Sequence, residues 1–272
     1  MSTGTLVEEL LGGLEAETRE LLDMVTGLSA AQAAVATPAP GWSVHDQIGH
    51  LWVFDRVARI ALTTPALFGM VRQAAEQDPA WVEGLQEDAR ALSWRRLLTA
   101  FSAEREAMVI ELRTAAAAGG RIEWFGPDMG PASFISARTM ETWAHGQDCA
   151  DALGLDHRPT AGLKQVCDLG FRTVGYSFIN RGLPAPRAGF RVALEAPDGE
   201  QWTWGEQSAA NVVSGPALGF ALLVTRRRSV GDSKVVATGP DAVPWLRIAQ
   251  CYAGPAGAGR HDGQFRAIEK VM

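Results

Sequence analysis

The stretch Arg138 to Asp151, RTMETWAHGQDCAD, restricts the fold more than any other part of the chain. On a helix advancing ~100° per residue, Glu141, His145 and Asp148 fall within about 60° of one another, with Arg138 just outside that arc. Phe134, Met140 and Ala144 share this side, so it faces inward. Buried charge at such density is costly unless a cation or mutual pairing offsets it. A bound divalent metal meets that requirement. The competing explanation is that Glu141 pairs with Arg138 or Arg105.

The rest of the chain reads as helices followed by a change of texture. Residues 5–28 space Leu6, Leu10, Leu14, Leu21, Leu22 and Val25 at helical intervals. After a Pro-rich loop, Ser43 and Asp46 form an S-x-x-D capping box that opens a second helix through Thr64. His50 shares a stripe with Val53, Phe54 and Val57 on that helix and points to the core, whereas His45 is placed at or near the surface. Residues 65–90 are an irregular excursion or short helical pieces. A long helix runs from Ser93 to Ala118 and ends at Gly119-Gly120. The organising helix spans 132–153 and stops at Gly154, and a fifth is predicted at 160–180.

From Arg181 the Pro/Gly linker RGLPAPRAG leads into alternating sequence. GFRVALEA and EQWTWGE read as strands joined at Pro197-Asp198-Gly199-Glu200. A helix is predicted over 209–224, a strand at KVVATG and a closing helix at DAVPWLRIAQCYAG. The expected organisation is an all-α domain, 1–181, followed by a small α+β domain, 182–272.

Glu141 and His145, spaced i, i+4, can chelate one ion from adjacent turns, and His50 on a neighbouring helix can supply a third bond. Two imidazoles and a carboxylate suit zinc with an open fourth position, although iron or nickel would also be accepted. Asp148 is placed to orient a ligating imidazole or to act as a fourth ligand.

A net charge of −6 argues against a nucleic-acid partner, the only dense basic run being Arg226 to Arg228. No apolar run approaches membrane-spanning length, and the N-terminus lacks a signal-peptide pattern. Cys149, Cys167 and Cys251 are isolated, which reads as buried thiols in a reducing, cytoplasmic setting.

The segments GWSVHDQIGHLWVFDRVA and RTMETWAHGQDCADALG resemble the N-terminal domain of mycothiol-dependent maleylpyruvate isomerases, within the wider DinB-like metal-binding four-helix bundles. The resemblance covers residues 5–180. It rests on W-S-x-x-D-x-x-x-H and E-x-x-x-H-x-x-D, and implies that His50, Glu141 and His145 hold a metal, usually zinc. More weakly, the C-terminal part is similar to the sterol-carrier-like domain of those isomerases. There, Arg227 matches an arginine directed toward substrate, while Arg226 stands where the family has glycine. The resemblance implies mycothiol as the thiol cosubstrate and a small electrophilic or unsaturated acid as substrate, with isomerisation or thiol transfer as the reaction. Asp148 and Arg227 would assist. The rival readings are a metal-dependent hydrolase and a non-catalytic metal- or small-molecule-binding protein, the latter with Trp202, Trp204, Phe220 and Trp245 lining an apolar pocket, although core packing is the better account of these four aromatics.

Overall fold

Capping and apolar spacing fix most of the helical region in the computed structural model, which describes residues 3–78 and 80–265. Helix α1 (Thr3–Val25) buries Val7, Leu11, Leu14, Leu21 and Val25, whereas Leu6 is 41% exposed. The buried stripe is rotated from the expected one because Glu17 and Thr18 also face inward, where they meet His157 and Arg105.

After the short α2 (Ala30–Ala33), α3 (Val44–Thr63) opens with the predicted capping box. The Asp46 amide donates to Ser43 Oγ at 3.2 Å, and the Ser43 amide donates to Asp46 Oδ2 at 2.8 Å. Residues 65–90 contain α4 (Pro65–Gln77) and α5 (Trp81–Arg90). Gly49 lets α5 approach α3 closely, since a Cβ there would lie 2.7 Å from Ala89 Cβ. Helix α6 (Trp94–Ala118) stops at Gly119. Helix α7 (Pro131–Leu153) starts on its proline and ends at Gly154, where φ is 65°.

Helices α1, α3, α6 and α7 pack on one another. Leu14, Met108 and Phe134 belong to one apolar cluster, and Leu21, Ile48, Leu97 and Phe101 to another. A polar centre links all four helices. Asp55 of α3, fully buried, accepts from Arg105 of α6 through Nε at 2.6 Å and from Arg138 of α7 through Nη2 at 3.1 Å. Arg105 Nη1 also donates to Thr18 of α1 at 2.6 Å and to Thr142 of α7 at 3.0 Å. The two guanidiniums considered as partners of Glu141 therefore hydrogen-bond Asp55 instead.

The chain divides into compact units after Thr160 rather than at 181/182. The segment predicted as one helix forms α8 (Gly162–Arg172) and α9 (Val174–Ile179), which pack within the second unit. Gly170 shows why: a Cβ on α8 would meet Phe220 and Val224 at 2.9 Å, so only glycine permits this approach.

The second unit also contains β1 (Phe190–Glu195), β2 (Gln201–Trp204), β3 (Asn211–Pro216), α10 (Ala217–Val224), α11 (Val230–Ser233), β4 (Val236–Thr238) and α12 (Ala242–Ile248). The sheet order is β2-β1-β3-β4, with β1 parallel to β3 and the other pairs antiparallel. The helix expected over 209–224 is corrected. Its first part is β3, in which the β-branched Val213 lies opposite Val192, both wholly buried. Phe220 and Trp245 are core residues, whereas Trp202 and Trp204 are half-buried on edge strand β2. Core packing, the better account of the four, therefore holds for Phe220 and Trp245, while Trp202 and Trp204 stay half-buried.

Candidate metal centre

The site arises where α3 and α7 pack. The capping box fixes the start of α3, and His50 lies two turns inside it. Glu141 and His145 project from adjacent turns of α7. The three side chains converge: one donor atom from each lies within 4.8 Å of the others. His145 Nε2 is 3.2 Å from Glu141 Oε2, and His50 Nε2 is 3.9 Å from the same oxygen. The imidazole centroids are 4.5 Å apart.

Aromatic rings enclose part of this group. Trp42 stacks on His145 at 5.9 Å and tilts against His50 at 5.1 Å, while Phe54 is 4.4 Å from His50. The ligand side chains are not sealed: His50 is 15%, Glu141 25% and His145 10% exposed. A small molecule can therefore reach donors that are mostly withdrawn from water. Burial pushes the Glu141 carboxyl up. The hydrogen bond with His145 and the charges of His145, His50 and Arg138 outweigh it and bring the carboxyl down to about 2.

A hydrogen-bond chain determines which nitrogen of His145 faces the other donors. Thr37 Oγ1 donates to the Trp42 carbonyl at 2.9 Å, so it accepts from Gln47 Nε2 at 2.8 Å. The amide is thereby oriented with Oε1 toward His145 Nδ1, to which it is hydrogen-bonded. Nδ1 must then carry a proton, so Nε2, which donates to Glu141 Oε2 here, is the nitrogen that presents a lone pair once its own proton gives way to an ion. Gln47, three residues before His50 on α3, was not singled out in the sequence. Its signal was only that spacing, which places both on one helical face.

Asp148 is buried on α7, but among the described residues the converging acid and imidazole group stops at three. It is not a fourth member. For His145, Gln47 fills the orienting role expected of Asp148. Burial and the Asp148 charge push the Cys149 thiol up, in keeping with a packed rather than reactive cysteine. Cys149, Cys167 and Cys251 are all buried and none is in a disulfide. His45 is half-buried, with Nε2 3.1 Å from the Leu92 carbonyl.

Arg227 lies in the second unit just after α10, where its Nη1 donates to the Thr225 carbonyl at 2.7 Å. The preceding Arg226 has φ 61°, a left-handed conformation to which glycine is better suited.

The sequence profile of the mycothiol maleylpyruvate isomerase N-terminal domain matches residues 14–150, a span containing all three converging ligands. The chain belongs to that family. Two uncharacterized proteins of Mycobacterium tuberculosis, from strains CDC 1551 and H37Rv, are each 44% identical over 248 residues. The match spans 91% of this chain and 96% of each relative. Among solved structures, the mycothiol-dependent maleylpyruvate isomerase superposes with a TM-score of 0.57 at 16% identity, covering 87% of this chain and 95% of that one. A histidine-to-alanine variant of that isomerase gives 0.56. These superpositions establish likeness of fold, a helical N-terminal region followed by a small sheet domain.

The donor chemistry fits a divalent metal. Two imidazole nitrogens and a carboxylate oxygen converge, and Gln47 holds a proton on His145 Nδ1, so that Nε2 is the nitrogen available to an ion.

Proposed function

We propose that this protein is a metal-dependent, thiol-using isomerase or transferase, with mycothiol as cosubstrate and a small electrophilic or unsaturated acid as substrate. The observation carrying this reading is the convergence of His50, Glu141 and His145 in a partly open setting. Membership in a mycothiol isomerase family directs that geometry toward thiol chemistry. We assign the helical region to the DinB-like four-helix bundles and the sheet region to the sterol-carrier-like domains. The family membership and the packing of α1, α3, α6 and α7 support the first assignment, and a fold likeness that spans 87% of the chain supports the second.

His50, Glu141 and His145 would hold the ion. Zinc is the preferred occupant, with nickel and iron chemically acceptable. When bound, the metal supplies a Lewis acid that lowers the pKa of an incoming thiol. The chain's own residues do the rest. Gln47 keeps the His145 proton on Nδ1, and Trp42 and Phe54 limit water around the imidazoles. Arg227, at the position resembling the family's substrate arginine, pairs with a substrate carboxylate. The thiol sulfur adds across a conjugated double bond, which becomes a rotatable single bond. Loss of the same sulfur as thiolate from the enolate adduct then regenerates the alkene as its isomer, whereas protonation of the adduct's carbon by water retains the sulfur and gives the conjugate.

No helix among the described residues is long and apolar enough to cross a membrane. That fact and three buried cysteines outside any disulfide support a cytoplasmic setting. The deciding experiment incubates zinc-loaded protein with mycothiol and maleylpyruvate or a model electrophile, following both isomer and free thiol. Turnover that disappears in His145→Ala supports the proposal. Metal binding without thiol-dependent turnover refutes it, and ester hydrolysis without thiol would favour the hydrolase.

A further inference from the structure

The imidazoles of the metal centre begin a series of aromatic rings that continues away from the ligands. Phe54 follows His50 by four residues on α3, so the two share one helical face, with ring centroids 4.4 Å apart. Phe54 then meets Phe125 at 6.1 Å and Trp124 at 6.5 Å, both edge-on. Phe125 in turn lies 5.4 Å from Trp81 of α5.

Core packing accounts for the anchoring of these rings but not for their exposure. Trp124 and Phe125 belong to the loop before α7, which is pinned by reciprocal Ile122–Met129 backbone hydrogen bonds of 2.8 and 3.0 Å. Phe68 stacks on Trp124 at 5.6 Å with the planes 3° apart, and Phe134 meets Trp124 edge-on at 4.9 Å. Those two anchors are wholly buried. Phe54, Trp81, Trp124 and Phe125 are only partly buried, so each forgoes part of the burial that a core position would give it. Partly exposed aromatic rings in one contact series, starting at a cluster of convergent polar donors, have the composition of a ligand wall.

We propose that Phe54, Trp81, Trp124 and Phe125 form the specificity wall of the metal centre, and that its substrate class is an unsaturated acid carrying an aromatic or similarly flat apolar body. The inference rests on the thiol chemistry proposed above and adds the part of the substrate that does not react. A flat body lies against these rings, which directs the electrophilic carbon toward the imidazole end of the series. Edge-on and offset ring contacts favour such a body beyond the area it buries, and a small alkyl group gains neither contribution in full.

Benzoylacrylate and acetylacrylate test the assignment, because they share the unsaturated keto acid and differ in phenyl against methyl. In each, the thiol sulfur bonds to the alkene carbon beta to the ketone and the π pair moves into the enolate. Water protonates the enolate carbon, and the thiol proton passes to solvent. Zinc-loaded protein with mycothiol is followed by loss of enone absorbance, after subtraction of the reaction without protein. The expected kcat/KM favours benzoylacrylate by at least about 10-fold. Phe125→Ala removes most of that preference by raising KM for the aryl acid, and Phe125→Tyr keeps it. Zinc content and a cooperative thermal melt establish that each variant is folded; if Phe125→Ala is not, Trp81→Leu supplies the same comparison. The saturated acids benzoylpropionate and levulinate, which cannot accept a thiol, give a second readout by calorimetry: the first binds more tightly, and Phe125→Ala weakens it. Selective benzoylpropionate binding without turnover of either acrylate overturns the thiol chemistry and supports the wall. Turnover of both acrylates without preference, or a preference that folded wall variants leave intact, overturns the wall and leaves the thiol chemistry standing. Absence of both turnover and benzoylpropionate binding overturns both.

Discussion

Replacing Gln47 with Met isolates the part played by one hydrogen bond at the metal centre. Methionine approximates the length of glutamine but has neither the carbonyl facing His145 Nδ1 nor the amide that donates to Thr37. His145 then loses the partner that keeps its proton on Nδ1, and the alternative tautomer would turn an N–H toward the ligand group. Loss of such an orienting partner weakens metal affinity by roughly 10- to 100-fold. That corresponds to about 1.4–2.7 kcal/mol. Zinc affinity should be measured by competition with a chromophoric chelator, alongside nitrogen–proton NMR assignment of the His145 tautomer. Gln47→Glu is the control: it restores an acceptor at Nδ1 and should retain most of the affinity. The reasoning fails if Gln47→Met binds zinc within twofold of the parent while the His145 proton stays on Nδ1.

Removing one member of the buried Arg105–Asp55–Arg138 centre should be far more damaging than loss of a surface pair. Asp55→Asn is expected to cost about 3–5 kcal/mol, measured by urea unfolding, because two guanidiniums lose their common anion. Gly49→Ala should destabilise by about 1–3 kcal/mol through overlap with Ala89, and Ala89→Gly should recover much of the loss in the double variant. Burial acts to raise the Asp46 pKa, but its hydrogen bonds with Ser43 and Arg90 prevail and lower it overall. Its stabilising contribution is therefore complete above the unfolded carboxylate pKa and disappears as pH falls through the lower folded value. Denaturation from pH 5 to 2 should show a shallower acid slope for Asp46→Asn. Finally, zinc at about 100 times its dissociation constant should stabilise the metal-free protein by about 2.7 kcal/mol, and chelation should reverse the gain in melting temperature.

Helical spacing aligned Glu141 with His145 and placed His50 on an inward stripe, and it took the family resemblance to single the three out as one proposed ligand set. Helix punctuation was equally direct at Ser43, Pro131 and Gly154. Their roles depend on local backbone geometry that the structure retains. The ionic centre was harder to read. Arg105 interrupts the apolar series Phe101, Met108 and Leu112, and Asp55 interrupts Leu51 and Ala58, but sequence separation hides that these charges meet. Arg138 and Arg105 could equally have been matched to Glu141 until the helices were placed together. The mistaken helix at 209–224 has another cause. A buried strand and a buried helix can both present an uninterrupted apolar run, and the parallel partner Val192 that distinguishes them is distant in sequence. Gln47 escaped notice because an uncharged amide carries no distinctive spacing signal and becomes informative only through its partners at Thr37 and His145.

The contacts around Asp55 have a consequence for metal exchange. They join the helices bearing His50 and His145 through side chains separate from the proposed coordinating set. Assembly of the scaffold and loading of the ion can therefore be distinct events. An emptied protein would keep its donors gathered and could take up a fresh ion without passing through the unfolded chain.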